Sequence, residues 1–236
     1  MQAYGAARRP RQSGHVVARV LAFGVAVMAA LGTAGDLRAT ETGGRAVKLV
    51  ALGDSLTAGY GLPADAAFPV VLEKALKAQG FTVEIANAGV SGDTASGGLD
   101  RVEWSVPDGT DGVILELGAN DMLRGVDPDV TRRALDGIIA RLKARGIPVM
   151  LAGMYAARNL GADYVRRFDA IYPDLAREHD LVLYPFFLDG VAGEARLALP
   201  DRVHPTAEGV RIVVDRILPA VKTFLARLGA GGQKEG

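Results

Sequence analysis

The stretch AVKLVALGDSLTAGYGL, residues 46–62, decides the fold class because an apolar, β-branched run passes directly into a polar loop. The apolar run at 46–52 predicts a short strand that is buried on both faces, as strands of parallel sheets are. The loop begins Gly53-Asp54-Ser55, so a serine hydroxyl is expected at the carboxyl end of this strand. In parallel sheets, functional groups gather in the loops at that end.

Strand and helix patterns alternate through the rest of the chain. Strands are predicted at 81–86, 112–117, 147–151 and 181–184, and helices at 66–79, 129–145, 164–179 and 206–227. This alternation predicts one α/β domain over residues 46–228. We expect a three-layer α/β/α sandwich with a five-stranded parallel sheet, of the flavodoxin-like type.

The first 39 residues differ from the rest of the chain. An apolar run at 20–32 follows a basic start and is itself followed by small residues, the basic positions being Arg8, Arg9, Arg11 and Arg19. This layout predicts a secretory signal peptide over 1–39 and a periplasmic or secreted protein. The run is shorter than the roughly 20 residues of a spanning helix. No stable membrane span is therefore expected after cleavage, although an uncleaved anchor remains an alternative.

Composition narrows the possible chemistry. The chain contains no cysteine, which excludes disulfides, thiolate catalysis and Cys-ligated zinc. Removal of residues 1–39 leaves 22 basic and 26 acidic residues, and such a mildly acidic domain without a basic stripe is not expected to bind nucleic acid. Removal also discards His15, so any histidine-dependent chemistry must use His179 or His204.

Four loops at one edge of the predicted sheet carry the candidate site. Besides the serine loop, they are NAGVSGDT at 87–94, GAND at 118–121 and DRVHP at 201–205. They supply a hydroxyl, a glycine-rich turn, a carboxamide and an Asp/His pair. This combination is typical of nucleophilic acyl transfer.

Each side chain has a predicted part in that chemistry. Ser55 needs a base to become nucleophilic, and His204 is the natural base because imidazole titrates near neutral pH. Asp201, three residues earlier, would fix the tautomer of the ring. The backbone N–H groups of Ser55 and Gly92, with the Asn120 amide, would stabilise the oxyanion. No metal or organic cofactor is implied, and the expected partner is a small-molecule or lipid ester substrate.

The stretches GDSLTAGYGL, NAGVSGDT, LGANDMLRG and YPFFLDGVAG resemble the GDSL, or SGNH, hydrolase superfamily. The resemblance covers residues 48–218 and is greatest to the bacterial arylesterases, acyl-thioesterases and lysophospholipases. The four letters correspond here to Ser55, Gly92, Asn120 and His204, and Asp201 completes the triad. The resemblance implies the SGNH fold and hydrolysis of aryl or short-to-medium acyl esters, thioesters or lysophospholipids through an acyl-enzyme on Ser55.

The sequence departs from the family pattern at two positions. Ala119 stands where many members have a second glycine, and we expect Asn120 to be placed correctly nonetheless. Arg202 stands where a glycine often follows the aspartate. If that turn requires a positive φ, Arg202 would cost stability or displace Asp201.

Other polar residues near the motifs have simpler interpretations. Asp54, Asp93 and Asp121 are expected to organise turns, and His179 to lie at a helix C-terminus, where histidines interact with the helix dipole or solvent. Trp104 and the 186–188 segment are expected in the core, with a role in an acyl pocket as the alternative. The segment 154–164 is a candidate substrate-contact loop.

Two other functions remain open on the sequence alone. A carbohydrate O-acetylesterase of the same superfamily would use the same residues. A non-catalytic protein with this fold would use the cleft to bind an acyl or glycan ligand.

Overall fold

The computed structural model describes residues 45–230, so the predicted signal peptide at 1–39 lies outside the described residues. Within that range, one sheet contains the strands β1 (Val47–Gly53), β2 (Val83–Gly89), β3 (Gly112–Glu116), β4 (Val149–Ala152) and β5 (Val182–Tyr184). Their order is β2-β1-β3-β4-β5, and every neighbouring pair is parallel. This is the flavodoxin-like order, which confirms the predicted fold class.

Helices cover both faces of the sheet. They are α1 (Ser55–Ala58), α2 (Phe68–Ala78), α3 (Ala95–Ser105), α4 (Ala119–Leu123), α5 (Pro128–Ala144), α6 (Ala162–His179) and α7 (Ala207–Arg227). Helix α2 packs against α7, whereas α5 packs between α3 and α6. Every residue of β3 and β4 is buried, as expected for central strands with a helical layer on each side. None of the helices in the described range is long and apolar enough to cross a bilayer.

Helix α3 was not predicted, because its sequence ASGGLDRVEWS contains two glycines and little apolar periodicity. Its start is instead fixed by Thr94, whose hydroxyl accepts a hydrogen bond from the N–H of Gly97 at 3.2 Å. Gly98 permits close packing, because a Cβ there would lie 2.3 Å from Cδ1 of Leu117 and that side chain would have to shift. Glycines that weaken the helical pattern therefore allow α3 to lie close to the end of β3.

The second strand also differs from its prediction. It continues through Asn87 to Gly89, three residues beyond the predicted end at 86, because these residues pair with the last residues of β1. A Cβ on Gly89 would lie 2.3 Å from the backbone nitrogen of Ala58, so glycine permits α1 to pack on the strand. The end of β2 thus packs directly against the turn that contains Ser55.

Candidate active site

The candidate site lies where the carboxyl ends of the neighbouring strands β1 and β3 meet. The chain leaves β1 into α1, which begins at Ser55, and leaves β3 into α4, which contains Asn120. The strand order reverses direction around this point, with β2 on one side of β1 and β3 on the other. Crevices at such topological switch points are the usual binding sites of open α/β sheets.

Three of the predicted site residues form one continuous hydrogen-bonded chain. His204 Nε2 lies 2.8 Å from Ser55 Oγ, and His204 Nδ1 lies 2.7 Å from Asp201 Oδ2. Only 8% of the Ser55 surface is exposed, so its hydroxyl is reached through the cavity and not from bulk solvent. With this geometry, the imidazole can accept the serine proton on one nitrogen while the carboxylate holds the other.

The Asp201 carboxylate is fixed by the turn that leads to the histidine. Its Oδ1 accepts hydrogen bonds from the backbone N–H groups of Val203 at 2.9 Å and His204 at 3.0 Å. The bond from the backbone N–H of His204 is the largest cause, followed by those from Val203 and from the imidazole, and together they lower the pKa of Asp201 to about 2. The group therefore stays ionised at all but strongly acidic pH.

The two departures from the family pattern are accommodated in different ways. Ala119 is the first residue of α4 and does not have a positive φ, whereas Gly118 before it has φ 115° and would bring a Cβ within 2.2 Å of the Tyr172 hydroxyl. Arg202 does adopt the left-handed φ, 59°, that its position was suspected to require. Asp201 is not displaced, since it remains in contact with the imidazole.

The predicted oxyanion donors surround one cavity. Ser55, Gly92 and Asn120 all line it together with His204. Gly92 has φ 84°, a conformation that glycine adopts without strain, and its carbonyl accepts a hydrogen bond from Arg124 Nη2 at 2.7 Å. The structure thus brings the three donors together, and their catalytic role stays a prediction.

Asp54 is fully buried beside the nucleophile loop and organises it, as predicted. Its Oδ1 accepts from the backbone N–H of Leu56 at 2.9 Å. Its Oδ2 accepts from the side-chain amide of Asn120 at 3.0 Å, a contact the sequence did not indicate. Burial raises the pKa of Asp54 to about 6, although both hydrogen bonds oppose this shift.

A second buried carboxyl group, Glu116, lies beneath the same turn. Its Oε2 accepts from the hydroxyl of Thr57 at 2.7 Å and from the backbone N–H of Asp54 at 3.4 Å. Burial, and then the charge of Asp54, raises the pKa of Glu116 well above its ordinary value. Sequence reasoning missed this residue, although a carboxylate inside the apolar run GVILEL was a signal that it has a specific partner.

Arg101 connects three of the site-forming segments and was also missed. Its guanidinium donates to the carboxylate of Asp93 at 2.7 Å, and to the carbonyls of Ala88 and Gly53 at 2.8 Å each. The ends of β1 and β2 are thereby tied to the loop that contains Gly92. Because α3 was not predicted, no signal placed this arginine at the site.

The remaining titratable candidates have structural contacts. Asp121 Oδ2 accepts from the first N–H of α3, that of Ala95, at 2.8 Å. His179 lies at the C-terminus of α6, as predicted, and its Nε2 is 2.6 Å from Asp136 Oδ1. Within residues 45–230, no group of three or more His, Asp or Glu side chains is arranged to hold a metal ion.

The cavity above Ser55 has a volume of about 660 Å³ and a largely apolar wall. Segment 154–158, part of the predicted contact loop, contributes to it. Trp104 does not: it is 75% exposed on α3, so both interpretations of this residue were wrong. Phe187 is a core residue, while its two neighbours are among the large aliphatic, Met and Phe side chains of the wall, which are Leu56, Met122, Leu123, Met154, Phe186, Leu188, Val191 and Val203.

Residues 51–212 match the model of the GDSL-like Lipase/Acylhydrolase family. The chain belongs to this family. As a GDSL hydrolase, it is an enzyme that acts on ester bonds. The match confirms the resemblance that the four sequence blocks indicated.

Three proteins similar to this GDSL hydrolase are named as esterases, thioesterases or lysophospholipases. The Arylesterase of Vibrio mimicus is 39% identical over 162 residues, which are 68% of this chain and 81% of that protein. The Thioesterase 1/protease 1/lysophospholipase L1 of Escherichia coli (strain K12) is 36% identical over 176 residues, covering 71% and 79% of the two chains. The crystal structure of AlinE4, an SGNH-hydrolase family esterase, is 47% identical, has a TM-score of 0.65, and covers 77% of this chain and 98% of AlinE4.

Proposed function

We propose that this GDSL hydrolase is an exported serine esterase that cleaves carboxylic esters through an acyl-enzyme on Ser55. The proposal is supported above all by the chain of contacts from Asp201 through His204 to Ser55. The two nitrogen–oxygen distances are 2.7 and 2.8 Å, and the chain lies at the wall of a large apolar cavity. A structural role for a Ser-His-Asp chain would not require an adjoining cavity.

In the first step, Ser55 Oγ attacks the ester carbonyl while His204 Nε2 accepts its proton. The ionised carboxylate of Asp201 stabilises the imidazolium that forms. The carbonyl oxygen becomes an oxyanion, and the donors assigned to it are the N–H groups of Ser55 and Gly92 and the side-chain amide of Asn120. The leaving alcohol or thiol then takes the proton from His204, and the acyl group remains on the serine.

The second step repeats this chemistry with water. His204 accepts a proton from a water molecule as the water oxygen attacks the acyl carbonyl. The same donors bind the second oxyanion. Collapse of this intermediate releases the carboxylic acid and returns the proton from His204 to Ser55 Oγ.

The cavity supports aryl or short-to-medium acyl esters as substrates. Its apolar wall can bury an acyl chain or an aromatic ring, and burial of each CH₂ contributes about 0.8 kcal/mol. The ring of Tyr155 stacks on that of Phe186 at 4.9 Å in this wall and offers an aromatic surface. The name of the Vibrio mimicus relative supports aryl esters, and that of the Escherichia coli relative extends the proposal to thioesters and lysophospholipids.

Export is the second part of the proposal. It rests on the basic, apolar and small-residue pattern of residues 1–39, with the hydrolase domain following at 46–228. The mature enzyme would then act in the periplasm or outside the cell. The alternative of a carbohydrate O-acetylesterase receives less support from the site, because the wall of the cavity is mainly apolar.

The test is hydrolysis of p-nitrophenyl esters, from acetate to palmitate, by residues 40–236 and by its Ser55→Ala variant. Ser91→Ala is the matched control, because Ser91 lines the same cavity without contacting His204. We expect activity in the unaltered protein and in the control, and nearly complete loss in Ser55→Ala. Folded protein without activity on any of these esters would contradict the proposal and favour a binding role.

A further inference from the structure

Arg202 keeps a backbone conformation that disfavours its side chain. Its φ of 59° lies in the left-handed region, which side chains with a Cβ adopt at a cost. The surrounding turn enforces this conformation, since the N–H of Arg202 bonds to the carbonyl of Leu199, whose own N–H bonds to the carbonyl of His204. A glycine would fit without strain. Strained residues retained beside a reactive centre suggest a functional contribution by the side chain.

Arg202 is one of the residues that line the cavity, and it is exposed. Within the described residues 45–230, its guanidinium has no ion-pair or hydrogen-bond partner. The neighbouring carboxylate, that of Asp201, is occupied by His204 and by two backbone N–H groups. The other arginine of the cavity wall, Arg158, is paired with Asp169 at 2.6 Å.

The charges on the wall favour an anion near Arg202. Among the described residues that line the cavity, Glu194 is the one carboxylate, and the charge of Arg158 is already paired with Asp169, which leaves Arg202 as the unpaired arginine of the wall. Arg202 lies two residues before His204, the group that delivers a proton to the leaving group in the proposed mechanism. Because Arg202 and His204 line the same cavity, a substituent on the leaving group, which departs towards His204, is the part of a bound ester nearest to this segment.

We propose that Arg202 is a specificity-determining residue that favours esters whose leaving group carries an anionic substituent, such as a carboxylate, sulfonate or phosphate. This inference rests on the proposed function and names its substrate class more closely. Arginine suits the task because its five N–H donors bind planar or tetrahedral oxyanions in a bidentate manner. Binding of an anion by the side chain thus offsets the backbone strain that a glycine at this position would avoid.

The test compares two substrates within each protein variant. 4-Acetoxybenzoate carries a carboxylate on its leaving group, and its methyl ester is the neutral counterpart. The ratio of their kcat/KM values, divided by the ratio of their rates in hydroxide, removes the difference in intrinsic reactivity. We expect this ratio to fall about threefold in Arg202→Gln, a size typical of solvent-exposed ion pairs, and to fall likewise at high ionic strength.

Arg196→Gln is the matched control. Arg196 precedes Arg202 by six residues, pairs with Glu208 of α7 and does not line the cavity. Its ratio should equal that of the unaltered enzyme. A second variant, Arg202→Gly, removes the charge and the backbone strain together. Its corrected kcat/KM ratio should fall as far as that of Arg202→Gln, and its melting temperature should be higher than that of Arg202→Gln.

The outcomes separate this inference from the function on which it rests. Equal ratios in the unaltered enzyme and in both Arg202 variants would overturn the role of Arg202 and leave the esterase activity intact. p-Nitrophenyl hemisuccinate carries its anion on the acyl side. An equal fall in kcat/KM for this ester in the Arg202 variants would also overturn the proposed role of Arg202. Failure of the unaltered enzyme to hydrolyse even the neutral ester would contradict the proposed function itself.

Discussion

The side-chain amide of Asn120 donates a hydrogen bond to the buried carboxylate of Asp54, with 3.0 Å between Nδ2 and Oδ2. The residue immediately before the proposed nucleophile therefore orients a proposed oxyanion donor. The same carboxylate holds the N–H of Leu56, so it fixes the serine turn as well. The relative position of nucleophile and oxyanion donor depends on one side chain that does not itself meet the substrate.

Replacement of Asn120 by alanine removes one proposed oxyanion donor and leaves the serine, histidine and aspartate in place. We expect kcat for p-nitrophenyl butyrate to fall about 10²- to 10³-fold, because the oxyanion forms only in the transition state. KM should change little for the same reason. A fall in kcat smaller than about fivefold, in a variant with an unchanged circular dichroism spectrum, would remove Asn120 from the oxyanion site.

Replacement of Asp201 by asparagine tests the carboxylate without removing the turn. An asparagine oxygen can still accept from the N–H groups of Val203 and His204, but it cannot stabilise an imidazolium by charge. We expect kcat/KM to fall about 10³-fold or more, with the melting temperature nearly unchanged. Since the pKa of Asp201 is lowered to about 2, its protonation does not explain an activity loss at milder acidity. Activity within tenfold of the unaltered enzyme would be inconsistent with its assigned role.

Replacement of Arg101 by methionine should lower the free energy of unfolding by about 3 kcal/mol, because the carboxylate of Asp93 then loses its partner in a mostly buried site. Adding Asp93→Asn should recover part of this loss. Arg141→Met is the control, since Arg141 makes one backbone contact on the surface and should cost less than about 1 kcal/mol. Urea unfolding measures all of these changes. Full additivity of the two changes would show that no coupling exists.

Replacement of Glu116 by glutamine should alter how stability depends on pH. The folded state raises the pKa of Glu116 above its ordinary value of 4.5. At low pH the group is protonated in both states. As pH rises through 4.5 and beyond, the unfolded chain loses this proton first, so the free energy of unfolding declines until the raised pKa is passed.

Glu116→Gln should remove that decline and unfold at higher urea concentrations than the unaltered protein at pH 8, but not at pH 4. The measurement is urea unfolding across this pH range. If the two proteins show parallel curves, the carboxyl group of Glu116 is not the cause of the pH dependence.

The fold was predictable from sequence because strands buried on both faces leave a strong pattern. β3 is apolar throughout apart from Glu116, and the loops after β1, β2 and β3 contain the polar motif residues. Helix α3 was not predictable in this way, because Gly97 and Gly98 serve close packing against neighbouring groups. Such packing is a property of the assembled sheet and leaves no helical periodicity in the sequence.

The candidate site was likewise predictable from the sequence only in part. Ser55, Asp201 and His204 could be proposed from the sequence because acyl transfer by a serine demands those residue types in loops, and the structure brings the three into contact. Arg101 and Glu116 were not, because most of their partners are backbone carbonyls, a hydroxyl and a backbone N–H group, and because the ion pair between Arg101 and Asp93 depends on the unpredicted helix α3. A buried charge can be suspected from an apolar context, but the partner that makes it tolerable becomes visible only in the folded chain.

The central claim is that Ser55 becomes covalently acylated, and the most direct test is stoichiometric labelling by a fluorophosphonate followed by intact-mass measurement. The unaltered enzyme and Ser91→Ala should each gain one adduct, located on the peptide that contains Ser55. Ser55→Ala should gain none. Equal labelling of Ser55→Ala, or an adduct on any other residue of the unaltered enzyme, would contradict the account.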